Sequence, residues 1–216
     1  MKTMIEITPF STHTYLSDLD ITGLVDVVRK QQSLDRDGVQ ISNCGGWQSP
    51  SMGVGVLPEF DSIIKNIQEL LEPIYAEYGV ASRPILKNYW FNVNNQHNYN
   101  TAHTHPGSVF SAVLYLEVPE HSGNLILLRS DNQQAYVIAT TSTPKTQMKF
   151  TVETYPGMLV AFPAHVPHYV EQNRSTQDRI SVAFNFKWPI PFMKTQYDYW
   201  KEDHDRVMAE MSAMAV

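Results

Sequence analysis

The chain has 216 residues, a formal net charge of −6 and one cysteine, Cys44. That length suits one domain that buries about 70% of its unfolded surface, with no need of a disulfide or structural metal. A lone cysteine excludes intramolecular disulfides and cysteine-rich zinc sites, and the scattered lysines and arginines disfavour nucleic-acid binding by bulk charge. The N-terminus has no apolar stretch of signal-peptide length, and no run approaches the ~18 apolar residues of a membrane span. The expectation is a soluble, cytoplasmic protein.

Three regions are expected: a helical N-terminal part over 1–83, a strand-rich core over 84–190 and a C-terminal helix over 191–216. Residues 17–33 predict a first helix, capped by Ser17 or Asp18 and with Ile21, Leu24, Val25 and Val28 on one face. Residues 58–78 predict a second. Its stripe is Phe60, Ile63, Ile64, Ile67, Leu70, Leu71, Ile74 and Tyr78. Pro73 is expected to kink or interrupt it and Gly79 to end it.

From residue 84 the period falls to two. Over 109–118, Phe110, Ala112, Leu114, Leu116 and Val118 oppose Ser111, Val113, Tyr115 and Glu117. Further strands are expected over 121–128 and on both sides of the Pro156–Gly157 turn within 149–163. Over 179–188, Ile180, Val182, Phe184 and Phe186 form an apolar face. Arg179, Ser181, Ala183 and Asn185 form the other, a composition that fits a pocket lining better than a second core. Short strands separated by Gly and Pro turns, with helices at both ends, predict a mainly β fold: a jelly roll, or double-stranded β-helix, flanked by α-helices. Residues 193–213 read as the C-terminal helix.

Six of the eight histidines lie between residues 97 and 168. His103 and His105, two apart on an extended segment, are positioned to share a face and a metal. A third ligand must come from elsewhere in the chain, with His165 and His168 in "FPAHVPHYV" as candidates. Nitrogen ligands suit iron, zinc, nickel or copper. His97, His121 and His204, taken singly, read as structural. Arg179 and Ser181, on one strand face, offer a guanidinium fork and a hydroxyl to a small carboxylate. The plainer alternative is an ion pair of Arg179 with Glu171 or Asp178.

"YNTAHTHPGSVFSAVLYLEVPEHSGNLIL" together with "YPGMLVAFPAHVPHYVEQNRSTQDRISVAFNF" resembles the 2-oxoglutarate- and Fe(II)-dependent oxygenases, in particular a bacterial and phage subfamily similar to the prolyl 4-hydroxylase branch. "ISNCGGWQSPS" and "YWFNVNN" extend the resemblance, which covers residues 41–188 with gaps. It implies His103, His105 and His168 as iron ligands, with His105 where the wider superfamily has aspartate. It implies that Arg179 holds the far carboxylate of 2-oxoglutarate with help from Ser181, and that Tyr115 and Asn92 are further donors to it. His165 then has no metal role, and Asp131 is a conceivable additional ligand. The implied cofactors are Fe(II), 2-oxoglutarate as cosubstrate, and O2. The implied reaction is hydroxylation of an unactivated C–H bond on a small molecule or a protein side chain, and a homodimer is compatible with it. A three-histidine cupin-type dioxygenase that uses no 2-oxoglutarate and a non-catalytic jelly-roll module are the alternatives. Residues 41–57 and 129–148 are the loops expected at the mouth, the second as a lid; Trp47 reads either as a contact there or, at least as readily, as a buried tryptophan in a packed loop.

Overall fold

The computed structural model describes residues 12–130, 143 and 146–189. The expected C-terminal helix, His204, Asp131 and most of the 129–148 segment lie outside the described residues.

Two antiparallel sheets face each other. The larger consists of β1 (Tyr15–Asp18), β9 (Met158–Pro163), β6 (Phe110–Glu117), β11 (Arg179–Lys187), β4 (Ile85–Asn94) and β3 (Trp47–Gln48), in that spatial order. The smaller has the order β2 (Asn43–Cys44), β5 (Tyr99–His103), β10 (His168–Val170), β7 (Leu125–Leu128) and β8 (Lys149–Val152). From β4 to β7 and again from β8 to β11 the chain passes from one sheet to the other at each step, whereas β3–β4 and β7–β8 stay within one sheet; β8 and β9, joined through Gly157 at φ 90°, belong to different ones. This is the expected jelly roll.

Helices α1 (Leu24–Leu34) and α2 (Pro58–Glu77) cover the outer face of the larger sheet. The period-two patterns explain the layering. Ile180, Val182, Phe184 and Phe186 of β11 join Phe110, Ala112, Leu114 and Leu116 of β6 beneath Phe60, Ile64, Ile67 and Leu71 of α2. Tyr115 points the other way, into a second cluster between the sheets with Leu125, Leu127, Val160 and Phe162. β11 is therefore apolar towards the helices and mixed towards the sheet interior.

Three expectations are corrected. Residues 15–18 form a strand, not the start of a helix: they pair with Met158–Ala161, a partner far along the chain that overrides local helical spacing. α1 begins only at Leu24, after Gly23 at φ 77°. Pro73 lies inside α2 without ending it, and Tyr75, which packs on Phe110 and Trp188, continues the buried stripe; Leu70 and Tyr78 are exposed. Residues 41–51 contain the short strands β2 and β3. Of the two readings of Trp47 the structure bears out the buried one: it lies in the helix-side core and donates its indole N–H to Asp35 O at 2.6 Å.

Candidate metal and anion site

β5 and β10 pair so that His103, the last residue of one, lies opposite His168, the first of the other. His105 lies past the end of β5, where its backbone N–H donates to Ala164 O at 3.0 Å and the chain turns through Pro106 and Gly107. Strand alternation is thus not what brings His103 and His105 together. One is held by a sheet and the other by the segment that leaves it.

The three rings converge. Their centroids are 4.4 Å apart for His103–His168 and 5.0 Å for each of the other two pairs. One ligand nitrogen from each lies within 4.8 Å of the others, a spacing that could hold a metal ion. His103 Nδ1 donates to Thr101 O at 2.7 Å and His168 Nδ1 to Val166 O at 2.9 Å. Each bond reaches the carbonyl two residues back and leaves Nε2 as a lone pair facing the cluster. Burial first, and then the neighbouring imidazoles, hold the rings neutral: His105 is pushed down to about 3 and His168 to about 4, and burial lowers His103 as well. Neutral imidazole is the metal-binding form. Among the described residues, no Asp or Glu joins the cluster.

The histidines line a cavity of about 420 Å3, its open mouth included, together with Asn92, Tyr115, Arg179, Ser181 and Ala183 of the larger sheet. Arg179 is 1% exposed. Neither Glu171 nor Asp178 pairs with it: Glu171 accepts from Asn124 N–H, and Asp178 binds Arg29 at 2.7 Å. Its Nε and Nη2, the Tyr115 hydroxyl and Asn92 Oδ1 are buried without a hydrogen-bond partner. The Arg179 guanidinium carbon stands 5.0 Å from the centre of the Tyr115 ring. Burial raises Tyr115 to about 12 and lowers Arg179, each offset in part by the other. An unpaired buried guanidinium costs on the order of several kcal/mol, so its orphaned donors could hold an anion.

The structure therefore gathers His103, His105, His168, Asn92, Tyr115, Arg179 and Ser181 around one cavity. His165 is exposed, and it, His97 and His121 lie outside the lining. Trp90, Asn100, Ser42 and Val113 also line the cavity and were not singled out from the sequence. Trp90 could have been found from its parity with Asn92 on β4. Asn100 and Ser42 carry no such signal.

A jelly roll with a three-histidine cluster and a buried arginine across the cavity has the layout of a non-heme metal oxygenase. Residues 88–185, which contain every candidate site residue, match a family model described as "Putative 2OG-Fe(II) oxygenase". Over this stretch, a little under half of the chain, the strand core is similar to that family. Comparison with curated proteins yields no match. Among solved structures, a Pseudomonas putida prolyl-4-hydroxylase is similar over 83% of this chain and 94% of its own, at 17% identity and a TM-score of 0.62. The viral collagen prolyl hydroxylase of Paramecium bursaria Chlorella virus-1, as its 2OG complex, covers 80% and 94% at 13% identity and a TM-score of 0.57. A non-heme alpha ketoglutarate dependent carbocyclase from nogalamycin biosynthesis covers 81% and 79% at 15% identity and a TM-score of 0.55. At these identities the likeness concerns the fold. No helix among the described residues is long and apolar enough to cross a membrane.

Proposed function

We propose that the protein is a 2-oxoglutarate- and Fe(II)-dependent dioxygenase that hydroxylates an unactivated C–H bond. His103, His105 and His168 would hold the iron. Arg179 would hold the distal carboxylate of 2-oxoglutarate, with Ser181, Tyr115 and Asn92 supplying further hydrogen bonds. The observation that carries this reading is the buried Arg179, whose Nε and Nη2 lack a partner, lining the same cavity as the histidine cluster.

Iron and cosubstrate, when bound, supply the oxidising power drawn from O2; the chain supplies orientation and exclusion of water. Arg179 presents a planar fork that suits a carboxylate and fixes the far end of a dicarboxylate before reaction. The Tyr115 hydroxyl stays protonated at neutral pH and remains a hydrogen-bond donor. Val113, Leu125, Val170 and Ala183 supply the apolar part of the lining, which strengthens the charged contacts beside it. Three neutral imidazoles leave the full +2 charge of the metal uncompensated by protein, which favours a doubly negative cosubstrate.

The test is anaerobic loading with Fe(II), addition of 2-oxoglutarate and O2, and quantification of succinate without any added substrate. Iron-dependent succinate formation supports the reading. Iron binding with no succinate would overturn it in favour of a three-histidine dioxygenase independent of 2-oxoglutarate.

A further inference from the structure

The three imidazoles are not held alike. His103 and His168 are each tethered through Nδ1 to a backbone carbonyl, which sets ring orientation as well as tautomer. His105 has no such tether. Among the described residues the one hydrogen-bond contact of its ring is Nε2 to His168 Nε2, at 3.2 Å. Its aromatic neighbours are His103, His168 and Trp90, the last at 5.5 Å between ring centres and tilted by 52°. The first two belong to the cluster, so Trp90 is the aromatic wall against which the third ring rests. Trp90 is on β4 of the larger sheet, opposite Ala183 of β11, and lines the cavity while half-buried.

We propose that Trp90 is the positioning residue for His105: its indole ring does by packing what the Thr101 and Val166 carbonyls do by hydrogen bonding for the other two rings. The inference rests on the metal-binding role assigned to His105 above. An untethered imidazole must give up ring rotation when it binds a metal, and that cost falls on the metal bond. A wall that already restricts the ring removes part of it. It follows that His105 is the ligand most readily displaced, and that Trp90 sets how readily.

The experiment is a double-mutant cycle on Co(II) binding by the full chain, read by competition titration and by visible ligand-field absorption. Trp90→Ala is expected to weaken Co(II) affinity about 10-fold, the low end of what loss of an orienting partner costs. Its spectrum should shift towards that of His105→Ala. In the His105→Ala background, Trp90→Ala should change affinity by less than about 2-fold, because the ring it orients is gone. Trp90→Phe should restore native affinity to within about 3-fold, and it serves as the reporter if the alanine variant does not fold. An equal loss in both backgrounds would make Trp90 merely structural and overturn the proposal. So would unchanged affinity and spectrum in Trp90→Ala, or a phenylalanine variant no better than alanine. A native protein that binds no Co(II) removes both this inference and the metal site. One that binds Co(II) with the expected coupling, but whose spectrum does not respond to 2-oxoglutarate, removes the proposed function alone.

Discussion

His105 Nε2 and His168 Nε2 stand 3.2 Å apart although 63 residues separate them in the chain. The Val166 carbonyl holds the proton of His168 on Nδ1, so His168 presents a lone pair to its neighbour. Two nitrogens at that distance share either a proton or a metal ion. His168→Ala should therefore lower Co(II) or Fe(II) affinity by more than about 100-fold, exceeding the loss expected from disturbing a ligand's orienting partner. His165→Ala, three residues earlier and exposed, should leave affinity unchanged. Titration of both variants, with circular dichroism to check folding, decides the point.

Removal of Arg179 should separate cosubstrate binding from metal binding. A charged hydrogen bond sheltered from water contributes roughly 1.5–3 kcal/mol, or about 10- to 100-fold in affinity. Arg179→Ala is accordingly expected to raise the KM for 2-oxoglutarate by about that factor while changing metal affinity by less than about 3-fold, the margin ordinary context effects allow. Equal losses in both would show that the arginine supports the cavity as a whole. Succinate formation across a 2-oxoglutarate series, beside a metal titration, gives the two numbers.

The neutral histidines make the metal-free protein sensitive to acid. In the unfolded chain each ring takes up a proton below about 6.5. In the folded state His105 resists protonation down to about 3 and His168 down to about 4. The unfolded state then binds more protons throughout that interval, so stability rises with pH across it. The contribution is complete above pH 6.5 and is lost progressively as the pH falls through 4 towards 3. Urea midpoints of metal-free protein from pH 7 to pH 4 should drop. The drop should be shallower in His105→Ala, which lacks one of the resisting rings.

Phe184 tests the other face of β11. It is fully buried and stacks on Tyr89 at 5.9 Å between ring centres. Phe184→Ala should cost about 3–5 kcal/mol of stability. The fraction that still folds should bind metal normally, because the side chain points towards the helices and away from the cavity. Chemical denaturation and Co(II) titration of one preparation would separate the two effects.

β11 was the most legible element in the sequence, since one alternating run encodes both an apolar face towards α2 and a polar face towards the cavity. The histidine cluster was legible in membership but for an incomplete reason. Spacing of two suggested a shared strand face, whereas His105 is placed by a backbone bond to Ala164, far along the chain. β1 was not legible, because Leu16 and its neighbours gain a strand partner only when β9 arrives. Trp90 escaped notice because a tryptophan in a strand reads as core; its parity with Asn92, together with the register of β4 against β11, shows which way it faces.

The imidazoles of His103 and His168 hang from the smaller leaf of the sandwich, and Arg179 and Tyr115 from the larger. Whatever spans the gap rivets leaf to leaf. Its affinity is then added to the fold's own cohesion by mass action. Resistance to melting thus becomes a gauge of occupancy: a chain starved of its ligands should come apart along this seam at a lower temperature than a replete one.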